Sequence, residues 1–264
     1  PNRTVLQYLR EDLLRVGTKE GCAEGDCGAC TVVIADIDAS GERLRVRAVN
    51  SCIQFLPALD GKELLTVESL EQDELHPAQT AMIDCHASQC GFCTPGFVMS
   101  MFALYKTNPH PTRQEIDDAL AGNLCRCTGY RPIVDAAKEM YGDLVGDQDW
   151  TRLPAGSDMG DDETYRVARL RSLQSTEVLC AEWQGRRFYA PVSLRELSTL
   201  IEKNPDAIIL AGGTDIGIWV TKQYRALNTI IYVGNVAELL SANLTSDYID
   251  VGAALSFTDA MPLI

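Results

Sequence analysis

The stretch "EGCAEGDCGAC", residues 20–30, holds three cysteines and three glycines within eleven positions. Its spacing is Cys22-x4-Cys27-x2-Cys30, and a fourth cysteine, Cys52, follows after a longer interval. Cysteines this close together form disulfides, bind zinc or hold an iron–sulfur cluster. The glycines let the backbone wrap closely around a bound group and adopt positive φ angles. The stretch therefore predicts a loop built around a bound group, and the three chemistries remain to be separated.

The overall composition narrows the class of protein. The chain has 264 residues, of which 46% are hydrophobic, so it can form a buried core and about two domains. Its net charge of -14 would be repelled by a phosphate backbone, which argues against a nucleic-acid partner. The longest apolar runs, such as residues 97–105, are far shorter than the ~20 residues that cross a bilayer. We therefore predict neither a nucleic-acid partner nor a membrane segment.

The ten cysteines are distributed in a way that argues against disulfides. Disulfide frameworks are typical of small secreted domains that lack a core, whereas this chain has enough apolar residues for one. Metal or cluster binding in a reducing compartment, the cytoplasm, is the better interpretation. Eight cysteines form two sets: Cys22, Cys27, Cys30 and Cys52, and then Cys90, Cys93, Cys125 and Cys127. We interpret the other two, Cys85 and Cys180, as small buried hydrophobic residues.

Residues 1–72 read as a small α+β domain. Helical spacing of apolar residues predicts a helix over 4–13, and the cysteine loop follows it. Runs rich in β-branched residues predict strands at 30–37, 43–50 and 62–67. The cysteine loop would thus lie between a helix and a strand.

The next segment, 73–142, changes to a helical period. Pro77, Pro95 and the capping box Thr112-x-x-Glu115 mark helix starts. The predicted helices span 76–87, 95–108, 112–120 and 132–142. Residues 143–187 are polar and partly acidic, and we interpret them as a linker.

Residues 188–264 read as the start of an α/β domain. A helix over 193–203 precedes a strand at 207–211, and the Gly-rich loop "GGTD" and a short helix follow that strand. Further strands are predicted at 229–233 and 248–253.

The first cysteine set has the spacing of plant-type 2Fe–2S proteins, Cys-x4-Cys-x2-Cys with a distant fourth cysteine. Zinc sites usually use two short Cys-x2-Cys motifs, which the four-residue gap does not fit. The second set consists of Cys90-x2-Cys93 and Cys125-x-Cys127, each placed just before a predicted helix. There the positive end of the helix dipole favours thiolates. By spacing alone the second set fits either zinc or a second 2Fe–2S cluster.

Three longer motifs show a family resemblance. "GTKEGCAEGDCGACTV" (17–32), "SQCGFCTPGF" (88–97) and "GNLCRCTGYRPI" (122–133) resemble the iron–sulfur module of the xanthine oxidase family of molybdenum hydroxylases. The resemblance implies a β-grasp ferredoxin-like domain and a four-helix domain, each with one 2Fe–2S cluster. It also implies that Gln89 touches the pterin of a molybdopterin cofactor on a partner chain. The implied ligands are Cys22, Cys27, Cys30 and Cys52 for the cluster nearer the flavin, and Cys90, Cys93, Cys125 and Cys127 for the cluster nearer molybdenum.

The third segment extends the resemblance to a flavin domain. "FYAPVSLRELSTLI" and "ILAGGTDIGIWVTK" resemble the opening of the family's FAD-binding domain. A Gly-rich turn after a strand offers backbone N–H groups to a pyrophosphate. The resemblance implies FAD contacts by Leu210, Ala211, Gly212, Gly213, Thr214, Asp215 and Ile216.

The implied function is electron transfer. Clusters followed by flavin on one chain are most similar to the small subunit of bacterial two-chain members, which implies a molybdopterin-containing large subunit in a heterotetramer of two small and two large subunits. The expected reaction hydroxylates a purine, with aldehydes, nicotinate or carbon monoxide as alternatives, and electrons pass to FAD and NAD. A zinc-stabilised interaction module without redox role is the alternative from another class. Because the first β-grasp hairpin and a second flavin loop are missing, we expect a fragment with a truncated flavin domain.

Overall fold

The computed structural model describes residues 1–71, 74–142, 149–158, 160–175 and 177–263. The chain forms two compact units, each made of several segments. We call Val5–Cys52 together with Gly61–Leu173 the cysteine-rich unit, because it contains every cysteine except Cys180. We call Pro1–Thr4, Ile53–Asp60 and Gln174–Ile264 the α/β unit. Both predicted cluster segments therefore fold together as one unit.

The sheet of the cysteine-rich unit has the strand order β2-β1-β3, with both pairs antiparallel. Its strands are β1 (Thr31–Ile37), β2 (Leu44–Asn50) and β3 (Glu63–Leu65). The central strand β1 is buried on both faces from Thr31 to Ala35, which its β-branched run suits. Before the cysteine loop, helix α1 (Val5–Gln7) continues into a π-helical turn (Tyr8–Asp12), shorter than the predicted helix.

Four helices complete the core of this unit, as the sequence predicts. They are α2 (Pro77–Asp84), α3 (Thr94–Thr107), α4 (Arg113–Leu120) and α5 (Arg131–Glu139). Helix α3 is buried from Gly96 to Tyr105 and packs on β1 and β2. The predicted capping box at α4 is present, because Thr112 and Glu115 each accept the other's backbone N–H.

A further helix, α6 (Asp161–Leu173), lies inside the segment predicted as a linker. It packs on β1, and its Glu163 carboxylate accepts the Leu44 N–H at 3.1 Å and pairs with Arg43 at 3.0 Å. Only Val167 and Leu170 are buried apolar residues of α6, so its apolar period is too weak to reveal the helix in the sequence. Short 3-10 turns lie at Leu56–Leu59, Val67–Ser69, Trp150–Arg152, Ala237–Leu240 and Met261–Leu263.

The α/β unit contains a four-stranded sheet in the order β4-β5-β7-β6. Strands β4 (Leu179–Trp183) and β5 (Arg186–Ala190) form an antiparallel hairpin. Strand β7 (Thr229–Tyr232) lies between β5 and β6 (Ile208–Leu210) and pairs in parallel with both. Helices α7 (Leu194–Lys203) and α8 (Thr214–Thr221) lie between the strands in sequence. A second small sheet, β8 (Ala242–Leu244) with β9 (Ile249–Val251), precedes α9 (Phe257–Ala260).

The hairpin β4–β5 was not predicted, because it lies at the boundary of the segment interpreted as a linker. Its turn is Gln184–Gly185, with φ angles of 51° and 74°, the conformation that tight hairpins favour. None of the described helices has both the length and the apolar character that a bilayer-spanning helix needs.

Candidate metal centres and nucleotide loop

The first cysteine set lies in one loop and at the end of a neighbouring strand. Cys22 and Cys27 are half-buried, whereas Cys30, which precedes β1, and Cys52, which follows β2, are each 2% exposed. The thiols come together as two neighbouring pairs, Cys22 with Cys27 and Cys30 with Cys52. The structure thus brings together all four cysteines that the sequence assigned to the first set.

Backbone N–H groups supply the polar contacts of this loop. Those of Glu24, Asp26 and Cys27 each lie 3.4 Å from the Cys22 sulfur. Burial opposes ionisation of Cys22, but these N–H groups outweigh it and lower its pKa. A hydrogen bond with the Cys52 thiol lowers the pKa of Cys30 to about 7. These contacts favour the thiolate form of Cys22 and Cys30, which is the form that binds a metal. Burial raises the pKa of Cys27, and the hydrogen bond with the Cys30 thiol raises that of Cys52.

Gly28 shows why this loop needs glycine. Its φ angle is 69°, and a Cβ placed there would lie 2.2 Å from the carbonyl oxygen of Gly122. The loop therefore needs both the positive φ angle and the close approach of another backbone segment.

The second cysteine set joins two motifs that are far apart in sequence. Cys90 and Cys93 precede α3, and Cys125 and Cys127 precede α5. The neighbouring pairs are Cys90 with Cys127 and Cys93 with Cys125, so each pair takes one thiol from each motif. Cys125 is buried and Cys93 half-buried, whereas Cys90 and Cys127 are exposed. The structure thus also assembles the second predicted set.

Hydrogen bonds also lower pKa values in the second set. The Phe92 N–H and the Cys127 thiol lower the pKa of Cys90. Burial opposes ionisation of Cys125, but the hydroxyl and N–H of Thr128 help to outweigh it and lower its pKa. Burial raises the pKa of Cys93 to about 12.

The pairing of the thiols bears on the choice of metal. All ten cysteines are free thiols. Among the described residues, no three Cys, His, Asp or Glu side chains converge closely enough to hold a single metal ion. A 2Fe–2S cluster instead divides four thiolates between two irons. The two thiol pairs in each set match this division of four thiolates between two irons.

The two cysteine sites are joined by direct contacts that sequence reasoning missed. The Leu124 N–H donates to the Cys27 carbonyl at 3.0 Å. The buried Asn123 donates to the Gly28 carbonyl at 3.0 Å and to Thr31 Oγ1 at 3.2 Å, and it accepts from Ser100 Oγ at 2.6 Å. The only signal in the sequence was the "GN" that precedes Cys125 in its motif.

The remaining cysteines and histidines lie outside both sets. Cys85 is half-buried and packs against the core, but Cys180 is exposed on β4, so the prediction of a buried Cys180 was wrong. The alternation of apolar and polar residues along β4 could not predict the exposure of Cys180, because β4 is the edge strand of its sheet. His76 is buried, accepts the Ala78 N–H and contacts the Thr151 carbonyl at 2.8 Å, which is a structural role. Gln89 is exposed next to Cys90.

The Gly-rich loop of the α/β unit has the predicted strand–loop–helix arrangement. It follows Leu210, the last residue of β6, and leads into α8 at Thr214. Gly213 has a φ angle of 89°, and a Cβ there would lie 3.2 Å from the Ile53 carbonyl oxygen. The first turn of a helix carries N–H groups without intrahelical acceptors, which is where a phosphate binds. Leu210 is buried, whereas Ala211, Gly212, Thr214 and Asp215 are exposed.

Comparison with known protein families covers both cysteine sets and the Gly-rich loop. Residues 1–55 match a 2Fe-2S iron-sulfur cluster binding domain, and residues 66–138 match a second 2Fe-2S binding domain. Residues 182–264 match the FAD binding domain in molybdopterin dehydrogenase. The chain therefore carries two 2Fe–2S domains followed by FAD-binding sequence, in the predicted order.

Individual relatives show the same relationship. Xanthine dehydrogenase of Calliphora vicina is 34% identical over 289 residues, which cover 98% of this chain and 21% of that protein. Aldehyde oxidase 1 of Rattus norvegicus is 37% identical over 298 residues, which cover 100% of this chain and 22% of that protein. The crystal structure of quinoline 2-oxidoreductase from Pseudomonas putida 86 is 37% identical, with a TM-score of 0.46, and the match covers 53% of this chain and 80% of that one.

The chain thus spans about a fifth of the length of these two curated relatives. Across that length it combines both cysteine sets and the Gly-rich loop. The chain therefore belongs to the xanthine oxidase family of molybdenum hydroxylases.

Proposed function

We propose that this chain is the electron-transfer part of a molybdenum hydroxylase, a xanthine dehydrogenase. It relays electrons from a molybdopterin-containing partner, through the helical-segment site and then the ferredoxin-like site, to FAD and NAD. When bound, the clusters carry single electrons, and the flavin delivers them in pairs as a hydride. The functional segments of this proposal are 1–72, 73–142 and 188–264, with 143–187 between the last two.

We assign the iron ligands to the two cysteine sets. The support is that each set forms two thiol pairs, that backbone N–H groups lower the pKa of Cys22, and that the hydroxyl and N–H of Thr128 lower that of Cys125. The proposed ligands are Cys22, Cys27, Cys30 and Cys52 for one cluster, and Cys90, Cys93, Cys125 and Cys127 for the other.

One observation carries the relay: the two cysteine loops contact each other through backbone. The Cys27 carbonyl accepts the N–H of Leu124, the residue before Cys125. A ligand loop of one site is therefore hydrogen-bonded to a ligand loop of the other. This short connection supports transfer between the sites, because the two ligand sets belong to one hydrogen-bonded core.

The two outer ends of the relay are Gln89 and the Gly-rich loop. The exposed Gln89, beside Cys90, is our proposed contact to the pterin of the partner's cofactor. For FAD we propose the loop and first helical turn after β6: Leu210, Ala211, Gly212, Gly213, Thr214, Asp215 and Ile216. Its N–H groups would receive the pyrophosphate.

The partner in this proposal is a molybdopterin-containing large subunit in a heterotetramer of two small and two large subunits. A purine is the proposed substrate, because flavin sequence follows the clusters on one chain. An aldehyde is the second candidate, because aldehyde oxidase 1 of Rattus norvegicus is 37% identical over this chain. An assay of the purified complex with xanthine and with an aldehyde, both at saturating concentration, separates the two.

Metal and sulfide analysis of the anaerobically purified chain, with a visible spectrum, tests the relay. We expect about four irons and four sulfides per chain, which is two 2Fe–2S clusters. Two irons with one zinc would keep the first site and overturn the second. Zinc alone, in a colourless protein, would favour an interaction module without redox role.

A further inference from the structure

The loop between Cys125-x-Cys127 and helix α5 contains a closed set of hydrogen bonds. The Tyr130 hydroxyl accepts the backbone N–H of Cys125 at 3.0 Å. The Tyr130 N–H donates to Thr128 Oγ1 at 3.1 Å. The same Thr128 Oγ1 lies 3.2 Å from the Cys125 sulfur. Both the backbone and the sulfur of Cys125 are therefore held by residues of its own loop.

Tyr130 occupies a strained backbone conformation. Its φ angle is 68° and its ψ angle is -33°, although it carries a bulky side chain. Such a conformation persists only where surrounding contacts impose it, and it is enriched at functional sites. Here the contacts are the hydrogen bond to Cys125 and an edge contact with the Phe97 ring, 6.4 Å between centroids. The strain at Tyr130 thus serves to hold the Thr128 hydroxyl against Cys125.

The direction of the Thr128 hydrogen bond follows from its partners. Thr128 Oγ1 already accepts the Tyr130 N–H, so its own hydrogen is available to the Cys125 sulfur. A sulfur bound to iron is a thiolate and has no hydrogen to donate. In the loaded site the hydroxyl therefore donates to sulfur. A hydrogen bond to a ligand sulfur stabilises the more negative, reduced cluster and raises its reduction potential.

We propose that Thr128 is a positioning residue that raises the reduction potential of the second cluster, and that Tyr130 fixes its hydroxyl for this purpose. This inference rests on the proposed function, because it requires Cys125 to be an iron ligand. In the first site, the backbone N–H groups of Glu24, Asp26 and Cys27 lie 3.4 Å from the Cys22 sulfur. Unlike a backbone N–H group, a side-chain hydrogen-bond donor can be removed or restored by substitution.

The test is an anaerobic redox titration of the whole chain, followed by electron paramagnetic resonance of each reduced cluster. The signal of the second cluster is assigned by its loss in Cys127→Ser. In Thr128→Val we expect the midpoint potential of the second cluster to fall while that of the first stays unchanged. Thr128→Ser keeps the hydroxyl and should restore the wild-type potential.

Thr94→Val is the matched control. Thr94 also follows a proposed ligand, Cys93, but its hydroxyl lies 2.7 Å from the Ser88 hydroxyl instead of a sulfur. The same substitution there should leave both potentials unchanged.

Iron and sulfide content separates this inference from the function on which it depends. A wild-type chain without two clusters refutes the proposed function. If wild type holds four irons and four sulfides, an unchanged second potential in Thr128→Val refutes the inference. If Thr128→Val does not load the second site, Thr128→Ala, with its smaller side chain, is titrated in its place. An unshifted potential in that variant, or failure of both variants to load, also overturns the inference.

Discussion

The two cysteine sites of this chain differ in how they are built. The first occupies a Gly-rich loop whose backbone N–H groups surround the Cys22 sulfur, and two of its thiols, Cys30 and Cys52, are deeply buried. The second joins two distant motifs, exposes Cys90 and Cys127, and places the Thr128 hydroxyl 3.2 Å from the Cys125 sulfur. A site made from backbone is determined by loop shape, whereas a site made from two motifs depends on how the helices pack.

Removing a ligand should produce the largest difference between the sites. We expect Cys125→Ser to lose the second cluster and keep the first, because the two sets share no cysteine. The measured iron should fall from about four to about two per chain, since each 2Fe–2S cluster holds two irons. Metal analysis with electron paramagnetic resonance measures both numbers.

Cys85→Ser is the control for that variant, because Cys85 is half-buried but belongs to neither set. It should retain both clusters. Loss of all iron from Cys125→Ser, with an unchanged circular dichroism spectrum, would contradict two independent sites.

Gly28→Ala should damage the point where the two loops meet. The new Cβ would lie 2.2 Å from the Gly122 carbonyl oxygen, at a φ angle of 69°. We expect the free energy of unfolding to fall by about 2–5 kcal/mol, from backbone strain and overpacking together. Urea denaturation of the chain measures the change.

Gly129→Ala separates the two causes. Gly129 has the same φ angle of 69°, but a Cβ there meets nothing within 4 Å. Gly129→Ala should lower the free energy of unfolding only through backbone strain, by about 1–2 kcal/mol. Equal losses in the two variants would show that the contact with Gly122 contributes nothing.

Acid should weaken the core that supports both sites, through His76. Burial lowers the pKa of His76 to about 4. The positive charges of Arg152 and Lys106 also lower it, whereas the hydrogen bond with the Thr151 carbonyl and the negative charge of Asp149 raise it. Because the folded pKa lies below the unfolded value near 6.5, the stabilisation is complete above pH 6.5 and is lost as the pH falls towards 4. The total loss is roughly 3 kcal/mol.

Chemical denaturation of the chain at pH 7.5 and pH 5 measures the part of this loss that occurs above pH 5, about 2 kcal/mol. His76→Gln should flatten the pH dependence, whereas the same change at the exposed His110 should leave it as in wild type. A His76→Gln variant that keeps the wild-type pH dependence would assign the loss to other groups.

Asn123→Ala should give the smallest change in the free energy of unfolding, and it should affect only the hydrogen bonds that join the two cysteine loops. It removes the hydrogen bonds to Gly28 and Thr31 and leaves the Ser100 hydroxyl without its acceptor. Unsatisfied buried groups cost about 1–3 kcal/mol, so we expect a loss of that size with both clusters still bound. Asn243→Ala, at an exposed position on β8, should leave stability unchanged. The idea of a connecting role fails if the two variants are equally stable.

The segments that the sequence predicted poorly depend on features that hydrophobic periodicity does not record. Helix α6 buries only Val167 and Leu170 among its apolar residues and also makes polar contacts through Glu163 and Arg166. A buried carboxylate has no signature in hydrophobic periodicity. The exposed Cys180 was mispredicted for a related reason, because a residue type does not reveal that its strand lies at a sheet edge.

The sequence by itself determined the chemistry of this protein and the order of its parts. Cysteine spacing, glycines and helix caps act over a few residues, so they indicated the two cysteine sets, most helices and strands, and the strand–loop–helix at Gly213. Only the tertiary structure decided which thiols pair, that Leu124 and Asn123 join the two cysteine loops, and that Tyr130 holds Thr128 against Cys125. Those contacts join residues that are distant in the chain or need a strained backbone, and no local pattern encodes either.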